Sequence, residues 1–243
     1  MELLILSMLT GITTLLGVML AVFFGQPSKK ILAFYLGLSA GIMSLIIIVD
    51  LLPAAFEQGP LQAVGMGLGI GLAAMIFIYE LVHRSTEVRP VRSNPQKTEY
   101  LRTGLSISFA IAVHNIPEGI AIGAGFETRH DLSVMMALSI ALHNIPAGIG
   151  MGIPLVLSGM KKVSIFLLSL FVSVCIPLGA LFGKSFFAGS PFMVSMGMAF
   201  AAGAMGFIVW KEVAPASMRD HPLLAQLGMA VSLVFILLIH NLR

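Results

Sequence analysis

Uninterrupted apolar stretches of about 20 residues recur along this chain, the length a helix rising 1.5 Å per residue needs to cross a hydrocarbon core of about 30 Å. Cutting wherever charge, Pro or Gly clusters break them gives eight segments: 3-24, 31-56, 61-82, 104-126, 132-157, 163-183, 190-213 and 222-242. In 243 residues there are 14 Lys and Arg and 11 Asp and Glu, while 58% of side chains are apolar. Soluble domains carry about 25% charged residues, so a water-soluble globule is excluded. The expected fold is an all-α integral membrane protein, a single transmembrane domain of eight helices, and eight crossings put both termini on one side.

The basic residues decide which side. Lys29, Lys30, the five from Arg84 to Arg102, Lys161, Lys162, Lys211 and Arg219 make 11 at one set of loops; Arg129, Lys184 and Arg243 make 3 at the other. Basic loop residues resist translocation, so both termini are expected to be extracytoplasmic and the long loop 83-103 cytoplasmic. With these charges in loops, no basic face for nucleic acid forms. Cys175 stands alone, which excludes an intramolecular disulfide and a Cys-based zinc cage. The first apolar run has no basic n-region or small-residue cleavage site and reads as a retained span.

Two internal repeats sharpen the picture. His-Asn-Ile-Pro-Glu-Gly-Ile-Ala-Ile-Gly at 114-123 and His-Asn-Ile-Pro-Ala-Gly-Ile-Gly-Met-Gly at 143-152 agree at seven of ten positions. They lie on consecutive spans joined by a short stretch, so the helices run antiparallel and their polar residues meet near the bilayer midplane. A fainter repeat pairs spans 2 and 7 at an offset of 162: Ala40, Gly41, Met43, Ile46, Asp50, Pro53 and Ala54 match Ala202, Gly203, Met205, Ile208, Glu212, Pro215 and Ala216. These spans run in opposite directions, the mark of the inverted repeats in many secondary transporters. Asp50 then lies toward the outer face and Glu212 toward the inner one.

Residues four apart on a helix differ by about 40° in azimuth, so His114 and Glu118 project from one face, and His143 can complete a three-ligand set. A charge at the bilayer centre costs roughly 2.5 to 3.5 kcal/mol or more, so Glu118 calls for a partner, a cavity or an ion. Pro117 and Pro146 lack an amide hydrogen and free the carbonyls of Val113 and Leu142 beside the two histidines. Imidazole, carboxylate and amide oxygen suit zinc, iron, manganese or cobalt without choosing among them. An interhelical hydrogen bond is the usual role of one intramembrane His, but it does not account for two in duplicated motifs, each followed by Asn and Pro.

These residues resemble the ZIP family of divalent-metal transporters over essentially the whole chain: eight spans, outward termini, a cytoplasmic loop after span 3, His-Asn-x-Pro-Glu-Gly on span 4 and a related motif on span 5. The resemblance implies movement of zinc, or of iron, manganese, cobalt or cadmium, toward the cytosol between spans 4 and 5. His114, Asn115, Glu118, His143 and Asn144 stand at motif positions, with Asp50 and Glu212 as pathway residues. It implies a prokaryotic plasma membrane protein, not an enzyme and without a cofactor, whose partners are divalent metal ions and lipid, with a homodimer as an open assembly. Two departures stand out. Many relatives have an acidic residue where this chain has Ala147, and many with a two-metal site have another where it has Ile176. A divalent ion would meet one formal negative charge, which weakens binding and disfavours a second metal. The alternative is a metal-sensing or structural membrane protein descended from a transporter; an intramembrane metallohydrolase lacks a His-Glu-x-x-His helix.

Overall fold

Every regular element among the described residues is helical, as the apolar runs require. The structure, a computed structural model, describes residues 1–24, 29–85, 95–126 and 129–240, with a few side chains within them, including that of Glu212, outside the described set. In chain order the helices are α1 (Glu2–Phe24), α2 (Lys29–Leu45), α3 (Leu52–Gln58), α4 (Leu61–Ser85), α5 (Pro95–Gly125), α6 (His130–Leu157), α7 (Lys162–Phe187), α8 (Pro191–Ile208), α9 (Ala214–Asp220) and α10 (Pro222–His240). Among the described residues, seven stretches are long and apolar enough to cross a membrane. They are α1, α2 running on into α3, α4, α5, α6, α7, and α8 running on into α9. The chain is a multi-pass membrane protein. The eighth apolar helix, α10, packs on α2.

Two boundaries differ most from the sequence expectation. Residues 95–103, assigned to the cytoplasmic loop 83-103, are the first turns of the 31-residue α5. Pro95 suits the first helical position, and Gln96, Lys97, Glu99, Leu101 and Arg102 are good helix formers, so nothing stops the helix at the hydrocarbon boundary. Residues 86–94 of that loop lie outside the described set. The span placed at 190-213 likewise continues through α9, because the proline in its path widens the helix instead of ending it.

That widening occurs twice. Ile46–Leu51, between α2 and α3, and Val209–Val213, between α8 and α9, are π-helical. Leu52 N–H donates to the Ile47 carbonyl and Ala214 N–H to the Val209 carbonyl, each five residues back. Pro53 and Pro215 follow directly, and a proline inside a helix removes an amide donor and crowds the carbonyl four residues back. The wider turn relieves that crowding while the helix continues. Asp50 sits in the first of these turns and Glu212 in the second.

Side-by-side packing sorts the helices into two bundles, α1, α5, α6 and α7 in one and α2–α3, α4, α8–α9 and α10 in the other. Glycines seat each bundle backbone on backbone. A Cβ on Gly17 of α1 would stand 2.1 Å from the Ile145 carbonyl oxygen of α6, and one on Gly119 of α5 equally close to that of Ile176 on α7. In the second bundle Gly37 meets Ala225, and Gly71 meets Phe200, at the same 2.1 Å. Such approach is how membrane helices gain contact when lipid offers no hydrophobic drive for association. Between the bundles the contact is made instead by Met, Ile and Leu side chains, among them Met43, Ile46, Leu51, Met136, Ile140, Met198 and Met205.

The two ends of the molecule are chemically distinct. At one, Glu2 of α1, Glu57 of α3, and Arg129 and His130 at the start of α6 come together, His130 Nε2 lying 3.2 Å from Glu2 Oε1. At the other, Lys162 lies over the Phe23 ring at 5.7 Å and Lys211 over Tyr79 at the same distance.

Candidate metal centre

His114, Glu118 and His143 converge in the middle of α5 and α6, where each could offer one ligand atom within 4.8 Å of the others. His114 Nε2 is 2.8 Å and His143 Nε2 2.9 Å from the same carboxylate oxygen, Glu118 Oε1. The first contact is the one-turn spacing of residues four apart; the second crosses between antiparallel helices. All three side chains are buried, Glu118 and His143 at 0% exposure.

The second contacts of these groups define what they can do. His143 Nδ1 lies 3.3 Å from the Ser139 carbonyl oxygen, one turn back on α6. When Nδ1 carries the hydrogen and donates it there, Nε2 turns a lone pair toward Glu118. Two imidazole nitrogens and a carboxylate oxygen then face one point, an arrangement that repels itself until a proton or a metal cation sits among them. A tetrahedral zinc with bonds of about 2.0–2.1 Å holds its ligand atoms about 3.3 Å apart. The two nitrogen–oxygen separations, 2.8 and 2.9 Å, are within about half an ångström of that value.

The two asparagines are buried beside this trio at 0% exposure. Asn115 Nδ2 donates to the Val172 carbonyl of α7 at 2.9 Å, which fixes the amide and leaves Oδ1 without a protein partner. Neither amide atom of Asn144 has one, nor does Glu118 Oε2 or His114 Nδ1. Buried polar groups are normally paired, and a group of orphans beside a carboxylate indicates water or an ion among them.

Asp50 is buried at 3% exposure in the first π-helical turn and is not part of the trio. Glu212 occupies the second such turn, and its side chain is outside the described residues. Ala147 points toward the site: with His114 it lines a cavity of about 200 Å³ that also takes in Leu36, Ser39, Met43, Ile111, Gly150 and Ala216. The cavity extends from His114 toward the end of the molecule that carries Lys162 and Lys211. Sequence reasoning passed over Ser39 and Met43, which sit four apart on α2 and look like any other small and apolar membrane residues. Ile176 is fully buried in the core.

A sequence profile of the ZIP zinc transporter family matches residues 79–240. The zinc transporter ZupT of Chlorobium limicola is 32% identical over 256 residues, covering 96% of each chain. The ZupT proteins of Salmonella arizonae and of an Enterobacter species are each 34% identical, over 56% and 49% of this chain and 54% and 48% of their own.

Proposed function

The chain belongs to the ZIP family of zinc transporters, and on that premise we propose that it carries zinc across the membrane through the site formed by His114, Glu118 and His143. The observation that carries this reading is the convergence of both histidine Nε2 atoms on one oxygen of a fully buried carboxylate. An intramembrane carboxylate is costly unless an ion or partner compensates it, and zinc binds imidazole and carboxylate readily. Asn115 Oδ1 and the Asn144 amide complete the shell from the two neighbouring motif positions. Iron, manganese, cobalt and cadmium fit the same nitrogen and oxygen donors and are transported to the extent that they tolerate a single counter-charge.

The site lies near the bilayer midplane, since its residues begin their motifs mid-helix. The bias of basic residues toward one set of loops places both termini outside and the cavity beside His114 on the cytoplasmic side, eight spans in all. Movement toward the cytosol is the direction that the resemblance to divalent-metal uptake proteins implies. Asp50 lies on the outer part of the route and Glu212 on the inner part, as an inverted relation between the two π-helical segments requires.

The test is uptake by purified protein in liposomes, assayed with each of the five metals. Saturable zinc uptake is expected, and replacement of His114 or Glu118 by Ala should abolish it while leaving the protein monodisperse. Flat uptake for every metal by the parent would overturn transport and leave a membrane protein that only binds metal; normal uptake by both variants would move the site elsewhere.

A further inference from the structure

We infer that Arg129 and Glu57 form a latch that holds the two bundles closed at the end of the molecule opposite the cavity, an inference that rests on the transport reading above. Arg129, at the start of α6, belongs to the first bundle; Glu57, at the end of α3, belongs to the second. Their side chains meet at 2.5 Å, Arg129 Nη1 donating to Glu57 Oε2.

The seam between the bundles is not uniform along its length. Toward the basic end it opens into the cavity beside His114, which has walls from both bundles: Ile111, Ala147 and Gly150 from one, Ser39, Met43 and Ala216 from the other. Toward the Arg129 end it is filled by side chains such as Ile122, Met136 and Met198, all fully buried. Among the described residues no backbone-on-backbone glycine seat fixes this filled part: a Cβ on Gly125 would meet the far end of Met198 at 2.5 Å and one on Gly197 the Phe187 side chain at 2.6 Å, side chains and not backbone. Met, with three rotatable bonds, repacks at low cost. A seam closed by such side chains can part, and the ion pair across its rim biases it toward closure.

Geometry also sets the size of the effect. Glu57 is 62% exposed and Arg129 27%, so water and salt screen the pair. Arg129 Nε also lies 4.0 Å from Asp131 of its own bundle, so the guanidinium has an alternative partner once the seam opens. Such a latch tunes the closed population without locking it.

The experiment reads the seam directly, in detergent, in a Cys175→Ala background so that the one native thiol does not report. Ser133 is buried on α6, and its Oγ lies 3.2 Å from where a Gly125 Cβ would be, against the same filled part of the seam. In Ser133→Cys the thiol should react with a water-soluble maleimide about two- to fivefold faster when Glu57→Gln or Arg129→Gln is added, the range an exposed pair can set. The charge-swapped pair Glu57→Arg with Arg129→Glu should return the rate to the parent's, and high salt should erase the difference. Equal rates in all four proteins would overturn the latch. Should Ser133→Cys not fold, cross-linking Glu57→Cys to Arg129→Cys with a cleavable bifunctional reagent should halt zinc uptake and cleavage restore it; uptake indifferent to the cross-link would also overturn it. Failure of the parent to take up zinc refutes transport and leaves the labelling comparison to decide the latch on its own.

Discussion

Glu118 brings one formal negative charge to the His114 and His143 nitrogens, and a divalent ion there keeps about one positive charge uncompensated in a low-dielectric setting. Ala147 stands four residues after His143, as Glu118 stands four after His114, and it faces the cavity of about 200 Å³ that His114 also lines. There is room for a longer side chain. Ala147→Glu should tighten equilibrium zinc binding at least about tenfold, or about 1.4 kcal/mol, and slow release so that turnover falls. Without metal the new carboxylate lies near Glu118, and like charges in one site disfavour each other. Zinc should therefore raise the thermal stability of the variant more than that of the parent. Titration of the purified protein decides it, with Ala147→Gln separating charge from bulk; affinity unchanged or weaker in a folded Glu variant would mean that position 147 does not face the bound ion. The duplicated His-Asn-Ile-Pro made the trio legible in sequence, because residue spacing on a helix fixes a face. It could not show that Asn115 donates to Val172 on α7, since that contact depends on which helix packs alongside.

At the scale of the helices, the glycines divide by what a Cβ would strike. At Gly17 it would meet the Ile145 backbone oxygen at 2.1 Å, whereas at Gly69 it meets nothing within 4 Å. Backbone cannot rotate aside, so Gly17→Ala must push α1 off α6, at the 1–3 kcal/mol or so typical of overpacking. A fall of several degrees in the melting temperature of the detergent-solubilised protein is expected for Gly17→Ala and none for Gly69→Ala; equal behaviour would deny the close α1–α6 seat. Composition announced close packing but not which glycines supply it, because that depends on which faces meet. The π-helical turns before Pro53 and Pro215 were equally hidden. A proline can end, kink or widen a helix, and only the surrounding packing selects. The helical residues 95–103 read as loop in the sequence because polarity marks the membrane edge, and a helix may outrun that edge.

For the whole molecule, the trio lies between unequal surroundings: a cavity toward Lys162 and Lys211 and a filled seam toward Arg129. An acidic residue stands in each of the two π-helical turns of the second bundle, Asp50 toward the filled half and Glu212 toward the open one. Widened turns loosen the regular hydrogen-bond ladder, a common feature of functional segments. If the two carboxylates serve opposite steps, their removal must be felt differently. Asp50→Asn removes the charge that concentrates cations before the site, so the half-saturation concentration for external zinc should rise, by about tenfold at the low end of electrostatic focusing, with maximal rate nearly kept. Glu212→Gln removes the charge that receives the ion after the site, so maximal rate should fall while half-saturation changes little. Zinc dependence of uptake, measured for both variants in liposomes of fixed protein orientation, separates the two. The same kinetic defect in both, or the two defects exchanged, would show that the acidic turns do not divide capture and release between them.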